Sequence, residues 1–369
     1  MLYYLLEYLN KTFDPPGLDM IKYLTFRSGI AAITGLFMAF FFAPRIIKML
    51  QKHQIGEKIK DFGPKTHFSK AGTPTMGGLI VLTCVVVPVL LWGDIKSTYI
   101  WLLLVGTMLL GGVGCLDDYL KVIKKMPNGL IARYKLIGQV SVGLLVGCVL
   151  YFSPEFADVK SLTTIPFFKD LNLDLSYLYI PAVIFIITAT SNAVNLTDGL
   201  DGLAIGLTII AMLALGVISY ISGNAIYSDY LNIIYLPGSG ELSVFIAALI
   251  GAGLGFLWFN FYPAQVFMGD TGSLALGGAL GILSVMVRKE LLLPFLAGVF
   301  FFETISVIIQ TSYFKYTKRK YGTGKRVFKM APIHHHFEEK GWAEPKIVVR
   351  FYIIGIILAI ISLTSFKIR

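Results

Sequence analysis

The chain has 369 residues, 56% of them hydrophobic, with a mean hydropathy of +0.72 and a formal net charge of +10. That is too apolar for a soluble domain, and no ten-residue blocks alternate with period two as an outer-membrane barrel requires. The predicted class is therefore all-α, a polytopic integral membrane protein. On such a chain the basic excess suits anionic headgroups and phosphorylated substrates, not nucleic acid.

Residues 1–20 read as an N-terminal segment in which Met1–Thr12 forms a short interfacial helix; Glu7 interrupts its apolar run and Asp14-Pro-Pro-Gly17 ends it without a cleavage signal. A hydrocarbon core of about 30 Å takes roughly 20 apolar residues per helix. Ten spans are predicted, over about 24–44, 74–93, 98–116, 135–152, 177–193, 203–221, 242–259, 273–287, 291–314 and 347–366, the glycine-rich eighth being short. No repeat or low-complexity linker divides 1–369, which reads as one membrane-embedded domain. Cys84, Cys115 and Cys148 each lie in an apolar run and read as packing residues.

Lys and Arg concentrate after the first span (seven, Arg45 to Lys70), the third (five, Lys121 to Lys135) and the ninth (ten, Lys315 to Arg350, around the long 315–346 loop). The positive-inside rule puts these loops in the cytoplasm and both termini on the other side. Acids gather on the same side: Asp117-Asp118 after the third span, Asp198 and Asp201 after the fifth, Asp270 after the seventh. Two of those loops carry no Lys or Arg. A shared carboxylate centre at the cytoplasmic surface follows.

Each group has a chemistry. In Asp117-Asp118-Tyr-Leu-Lys121 the lysine lies one helical turn beyond Asp117 on the same face, so one carboxylate can be held ionised while the other titrates. In Asn192-Ala-Val-Asn195-Leu-Thr-Asp198-Gly199-Leu200-Asp201-Gly202 the amides share a face as the fifth span ends, and the aspartates fall in the break; amides suit ribose hydroxyls or a base edge. In Asn260-Phe-Tyr-Pro-Ala-Gln-Val-Phe267-Met-Gly-Asp270-Thr-Gly-Ser273, Thr271 or Ser273 is expected to cap the next helix. Its N-terminus would face an anion, and a phosphate with Asp-held Mg²⁺ fits there. Phe267 is placed either to stack on a base or to pack in the core. Pro332-Ile-His334-His335-His336 cannot set three imidazoles on one helix face, which disfavours a zinc site; pyrophosphate or sugar contacts remain. Lys70 and Thr75 flank the entrance of the second span, Lys135 and Gln139 start the fourth, and Glu303 and Gln310 share a face inside the ninth. Each pair serves either substrate or structure. Together the groups suit phosphoryl transfer at a membrane surface. A transporter would carry its acids at mid-span, and a CDP-alcohol phosphotransferase would follow its Asp-Gly motif with Ala-Arg, absent here.

These four motifs, with Ser69-Lys-Ala-Gly-Thr-Pro-Thr75-Met-Gly-Gly78, resemble those of the polyprenyl-phosphate N-acetylhexosamine-1-phosphate transferases over nearly the whole chain, from Tyr23 to Arg369. The resemblance implies a ten-helix, multi-pass enzyme of the bacterial inner membrane. It would use Mg²⁺, commonly as a homodimer, in peptidoglycan biosynthesis. It would move phospho-MurNAc-pentapeptide from UDP-MurNAc-pentapeptide to undecaprenyl phosphate, giving lipid I and UMP. It implies Asp270 as metal ligand, Asp117 as base on the lipid phosphate and Asp118 in support. Asn195, Asp198, Gly199, Leu200, Asp201 and Phe267 would line the nucleoside site, and His334 to His336 would serve the diphosphate or sugar. Lys70, Thr75, Lys121, Lys135, Asn192, Asn260 and Gln310 complete the expected substrate contacts. Direct displacement and a phospho-enzyme route both stay open. A relative using UDP-GlcNAc is the nearest alternative.

Overall fold

In hydrocarbon no backbone N–H or C=O can be left unpaired, so each long apolar run closes its hydrogen bonds on itself as a helix. A computed structural model of the chain, which describes residues 1–52, 70, 72–126, 129–168 and 171–366, follows that rule. Ser69, Ala71, the loop lysines Lys58, Lys60 and Lys65, and the closing 367–369 lie outside the described residues. The helices are α1 (Leu2–Phe13), α2 (Leu24–Lys52), α3 (Gly78–Trp92), α4 (Thr98–Asp118), α5 (Ala132–Phe152), α6 (Tyr179–Thr197), α7 (Leu203–Ser222), α8 (Ala225–Tyr230), α9 (Leu242–Asn260), α10 (Gly269–Met286), α11 (Leu293–Leu296), α12 (Gly298–Tyr321), α13 (Ile333–Glu338) and α14 (Glu344–Thr364). Between α5 and α6 runs a short hairpin that the apolar pattern does not signal, β1 (Leu162–Thr164) antiparallel to β2 (Asn172–Asp174), with Thr163 opposite Leu173.

Among the described residues eight helices are long and apolar enough to cross a membrane: α2, α4, α5, α6, α7, α9, α10 and α14. Two of the ten expected spans fall short, each for a physical reason. The second begins only at Gly78. Residues before it run extended beside 267–268, where Phe267 N–H donates to Pro74 O, Gly77 N–H to Phe267 O and Gly78 N–H to Met268 O, each at 2.8 Å. That leaves α3 as an apolar helix of 15 residues. The ninth is broken at Ala297 into α11 and α12, and α12 runs on to Tyr321 with Glu303, Gln310 and a terminal Lys318-Arg319-Lys320 that lower its hydropathy. The eighth, expected to be short, is an 18-residue helix.

That helix, α10, is the axis of the bundle. Every residue from Thr271 to Met286 is buried, and α3, α4, α6 and α7 pack around it. Small residues let neighbours approach: a Cβ on Gly114 of α4 would stand 2.1 Å from the Asp270 carbonyl oxygen, so only glycine admits α4 at the start of α10. The two ends of the bundle differ in chemistry. At one end Met1 N–H donates to Leu90 O, Tyr4 OH to Asp94, and Arg27 pairs with Glu241 at 2.8 Å; Lys289 stands over the Phe366 ring there too. At the other end lie the C-terminal ends of α4, α6, α9 and α12 together with Lys70 and residues 72–77, and there all the acid motifs meet.

Candidate active site

The site is built where α4 and α6 end and α10 begins. Asp117 and Asp118 are the last residues of α4, and both are buried. The chain then widens into one π-turn, Tyr119–Ile123, with Lys124 N–H donating to Tyr119 O. Asp117 Oδ1 accepts Leu130 N–H at 2.6 Å. Its Oδ2 stands 2.6 Å from Lys121 Nζ and 2.8 Å from Lys135 Nζ, the latter from the first turn of α5. Both ammoniums also reach Asp270 Oδ2, each at 2.8 Å. Two carboxylates and two lysines thus form one closed ring of alternating charge. Asp270 Oδ1 accepts Asn195 Nδ2–H at 2.6 Å, and that amide also donates to Ser273 Oγ at 2.8 Å. A cavity of about 340 Å³ opens beside this ring, lined by Asp117, Lys121, Lys135, Gln139 and Asn192 among others.

The start of α10 is capped differently from the sequence expectation. Neither Thr271 nor Ser273 caps it: the N-cap position is Met268, without a side-chain cap, and Ser273 Oγ donates to Gly269 O. The acceptor comes from α4. Asp118 Oδ1 takes Asp270 N–H at 3.1 Å, and Oδ2 takes Thr271 N–H at 2.9 Å and Thr271 Oγ1–H at 2.7 Å. A carboxylate therefore already sits on the positive end of α10, where a free anion was expected. Thr75 lies beside Gly269 and Asp118, buried.

A second ionic group fixes the turn between α6 and α7. Lys70 Nζ bridges Asp201 Oδ1 at 2.7 Å and Glu344 Oε1 at 2.6 Å. Burial opposes the Lys70 charge, but Glu344 and Asp201 outweigh it and hold the ammonium above its ordinary pKa. Asp201 Oδ2 accepts Ala264 N–H at 3.0 Å, and Glu344 Oε1 accepts Asp201 N–H at 2.7 Å. Asn260 joins the same turn, accepting Gly202 N–H and donating to Val266 O. Asp201, Leu200 and Asn260 are thereby buried as struts of the turn, whereas Asp198, Gly199 and Phe267 keep partly open faces. Asn192 donates to Gln139 Oε1 at 2.9 Å and to Thr188 O.

The histidines point three ways. His334 is wholly buried against Glu303 of α12, His335 Nδ1 is 2.6 Å from Glu338 Oε2, and His336 Nδ1 accepts Lys329 N–H at 3.1 Å. Burial, then Lys340 and Lys329, push the His336 imidazole below its ordinary pKa. Gln310 does not join the acids; it clamps the basic loop, its Oε1 accepting Val327 and Phe328 N–H. Glu344 was missed in the sequence because an acid before proline at a helix start reads as an ordinary first-turn residue. Its partner, Lys70, lies 274 positions away.

Among the described residues no three His, Cys, Asp or Glu side chains converge as a ready metal cage. The donor chemistry nonetheless fits Mg²⁺, which takes one or two carboxylates and fills its shell with phosphate oxygens and water. Asp270 and Asp117, held within reach of the same two ammoniums, are such a pair.

Residues 100–288 of this helical membrane bundle match the family model described as glycosyl transferase family 4, which places it among the transferases. Residues 70–82 match signature 1 of phospho-N-acetylmuramoyl-pentapeptide-transferase. Proteins of that name from Pelodictyon phaeoclathratiforme (53% identical), Chloroherpeton thalassium (52%) and Salinibacter ruber (52%) align over the full length of both chains. The chain belongs to the phospho-N-acetylmuramoyl-pentapeptide-transferase family.

Proposed function

We propose that this chain transfers phospho-MurNAc-pentapeptide from UDP-MurNAc-pentapeptide to undecaprenyl phosphate, forming lipid I and UMP for peptidoglycan synthesis. The observation that carries the reading is full-length identity of 52–53% to transferases of that name, with the carboxylate–lysine ring intact. In the reaction an oxygen of the lipid phosphate attacks the sugar-bearing phosphorus of the donor. The bond to the bridging oxygen breaks, and UMP leaves.

Asp117 is the residue to take the proton of a singly protonated lipid phosphate: it is buried, opens on the cavity, and is oriented by Leu130 N–H. Lys121 and Lys135 can pass from the carboxylates to phosphate oxygens, neutralising charge as it builds on the leaving group. Asp270, with Asp117 nearby, would hold Mg²⁺, which when bound would supply Lewis-acid polarisation of the diphosphate. Asp118 fixes Asp270 by fixing its backbone. The turn Asn195–Asp201 with Phe267 takes the uridine, and His335 and His336, on the partly open side of α13, face the sugar and diphosphate. The enzyme works as a homodimer in the bacterial inner membrane, its site on the cytoplasmic face where the basic loops lie.

The test is UMP release from purified protein with undecaprenyl phosphate, comparing UDP-MurNAc-pentapeptide with UDP-GlcNAc, with and without Mg²⁺. The expected result is Mg²⁺-dependent release with the pentapeptide donor alone. Asp270→Ala abolishes it, and Asp117→Asn still binds UMP but turns over slowly. Wild-type rates in either variant sink those assignments; release with UDP-GlcNAc sinks the donor.

A further inference from the structure

A carboxylate buried inside a helical bundle is costly unless something shares its charge. Glu303 of α12 is such a group, fully buried. Its Oε2 lies 3.1 Å from His334 Nδ1 and accepts His334 N–H at 3.4 Å, while Oε1 has no hydrogen-bond partner among the described residues. Oε2 thus faces both Nδ1 and the backbone N–H of the same residue, and that double approach sets the ring on one side. The other ring nitrogen is then turned one way only. Both ring nitrogens of His334 are buried and without a hydrogen-bond partner among the described residues; Nδ1 is the one beside Glu303, and Nε2 points away from it. What it faces is the backbone of Gly199: a Cβ built there would stand 2.4 Å from Nε2 and 3.0 Å from Cε1.

We infer that Glu303 and His334 are a positioning pair, a buried prop that sets the Asn195–Gly202 turn from below, and that His334 does not itself touch substrate. Its two neighbours differ. His335 and His336 keep part of their surface open, so the three histidines of one motif divide between holding the site and facing its ligand. The need for glycine at 199 follows from the same contact: any side chain there strikes an imidazole that cannot retreat, because Glu303 holds its far side. The inference rests on the reading of that turn as the uridine site.

The test is UMP binding by calorimetry and steady-state kinetics on the full-length protein in detergent. Glu303→Gln is close in shape but removes the carboxylate that faces Nδ1. It is expected to weaken UMP and raise donor KM about tenfold, the scale seen when a group orienting a functional histidine is removed. Turnover at saturating donor stays within about threefold, because the reacting groups are untouched. Gly199→Ala gives the same split. The double variant binds UMP no worse than the poorer single, since both act through one ring. Glu303→Asp, which keeps a carboxylate, restores part of the binding and guards against a fold defect in the amide variant. A drop in kcat with UMP affinity intact overturns the proposal, because it puts His334 on the reacting atoms. Wild-type UMP binding in Glu303→Gln, or strict additivity in the double variant, overturns it too. Asp198→Asn, in the turn but outside the pair, separates the two claims. If it leaves UMP binding unchanged the uridine reading of the turn fails; if it weakens binding and Glu303→Gln does not, the pair alone fails.

Discussion

Asp118 carries the start of α10, and removing it gives a sharp measure of how that helix holds Asp270, the proposed metal ligand. Asp118→Ala strips three acceptor contacts, to Asp270 N–H, Thr271 N–H and Thr271 Oγ1–H, at 3.1, 2.9 and 2.7 Å. The position is buried, so water replaces them poorly. Loss of a helix cap costs up to about 2 kcal/mol, and each buried donor left unpaired costs about 1–3 kcal/mol. Because these terms overlap, the expected loss is about 3–5 kcal/mol. At roughly 2 °C per kcal/mol for a large chain, that lowers the thermal midpoint in detergent by about 5–10 °C. Asp118→Asn keeps the shape and one acceptor oxygen but turns an N–H₂ toward backbone donors, and should lose about half as much. Thr271→Val removes only the hydroxyl contact, worth about 1 kcal/mol. Turnover should fall more than stability suggests, since displacing a reacting group by about 1 Å can cost about 10²-fold. The assays are a thermal melt and single-turnover UMP release. A wild-type midpoint and rate in Asp118→Ala would refute the claim that this carboxylate caps α10.

Gly114→Ala should cost about 1–3 kcal/mol by overpacking α4 on α10, with a loss of UMP release, because the new methyl meets the Asp270 carbonyl at 2.1 Å; a melt and a rate check both. At the opposite end of the bundle, burial pushes Glu290 up to about 7 from 4.5, so the folded state holds its proton more tightly than the unfolded chain. That contribution is fully present below about pH 4.5 and lost as pH rises through about 7, reaching about 3 kcal/mol; the melting midpoint of wild type should therefore fall between pH 5 and 8 relative to Glu290→Gln, and parallel curves would refute it. Lys121→Met leaves the two carboxylates with one ammonium, so Mn²⁺ binding to the ligand-free protein, read by paramagnetic resonance, should tighten about tenfold while UMP release drops. Unchanged or weaker Mn²⁺ binding would show that the lysine does not compete for Asp270.

What could be read in the sequence was what is local. The four-residue step from Asp117 to Lys121 correctly places both on one face, even though the chain loosens into a π-turn there. Counting basic residues puts all the acid motifs on one side, and they do meet at one end of the bundle. Polar groups at depth are equally legible: Glu303 was bound to have a partner. What was not legible was identity of partner. Thr271 and Ser273 are good local caps, yet Asp118 took the role from 152 positions away, since a buried carboxylate gains more from two N–H donors than a hydroxyl does. Asn260 and Asp201, both typical of ligand contacts, also brace the turn, because each faces buried N–H groups that need acceptors. The second span was misjudged in length for a related reason. Hydropathy sees that residues 74–77 are compatible with a helix, but not that 267–268 offer them hydrogen bonds as an extended chain.

The charge ring suggests how such a site stays stable beside a bilayer before it is loaded. Asp117 and Asp270 carry two negative charges, and Lys121 and Lys135 carry two positive ones, so the ring is neutral and each charged atom has a partner within 2.8 Å. Bare carboxylates there would pay a desolvation penalty of several kcal/mol each. A diphosphate brings acceptors for the ammoniums, and a divalent cation brings a partner for the carboxylates. Each can therefore enter by exchange, with no step in which a charge is left alone. The exchange also makes the two ligands depend on one another: a cation is easier to seat once phosphate oxygens have drawn the lysines away, and a diphosphate is held more firmly once the cation replaces them. On the proposed reading, nucleotide-sugar and metal are expected to bind cooperatively through the ring's neutrality, requiring no movement of the helices that carry it.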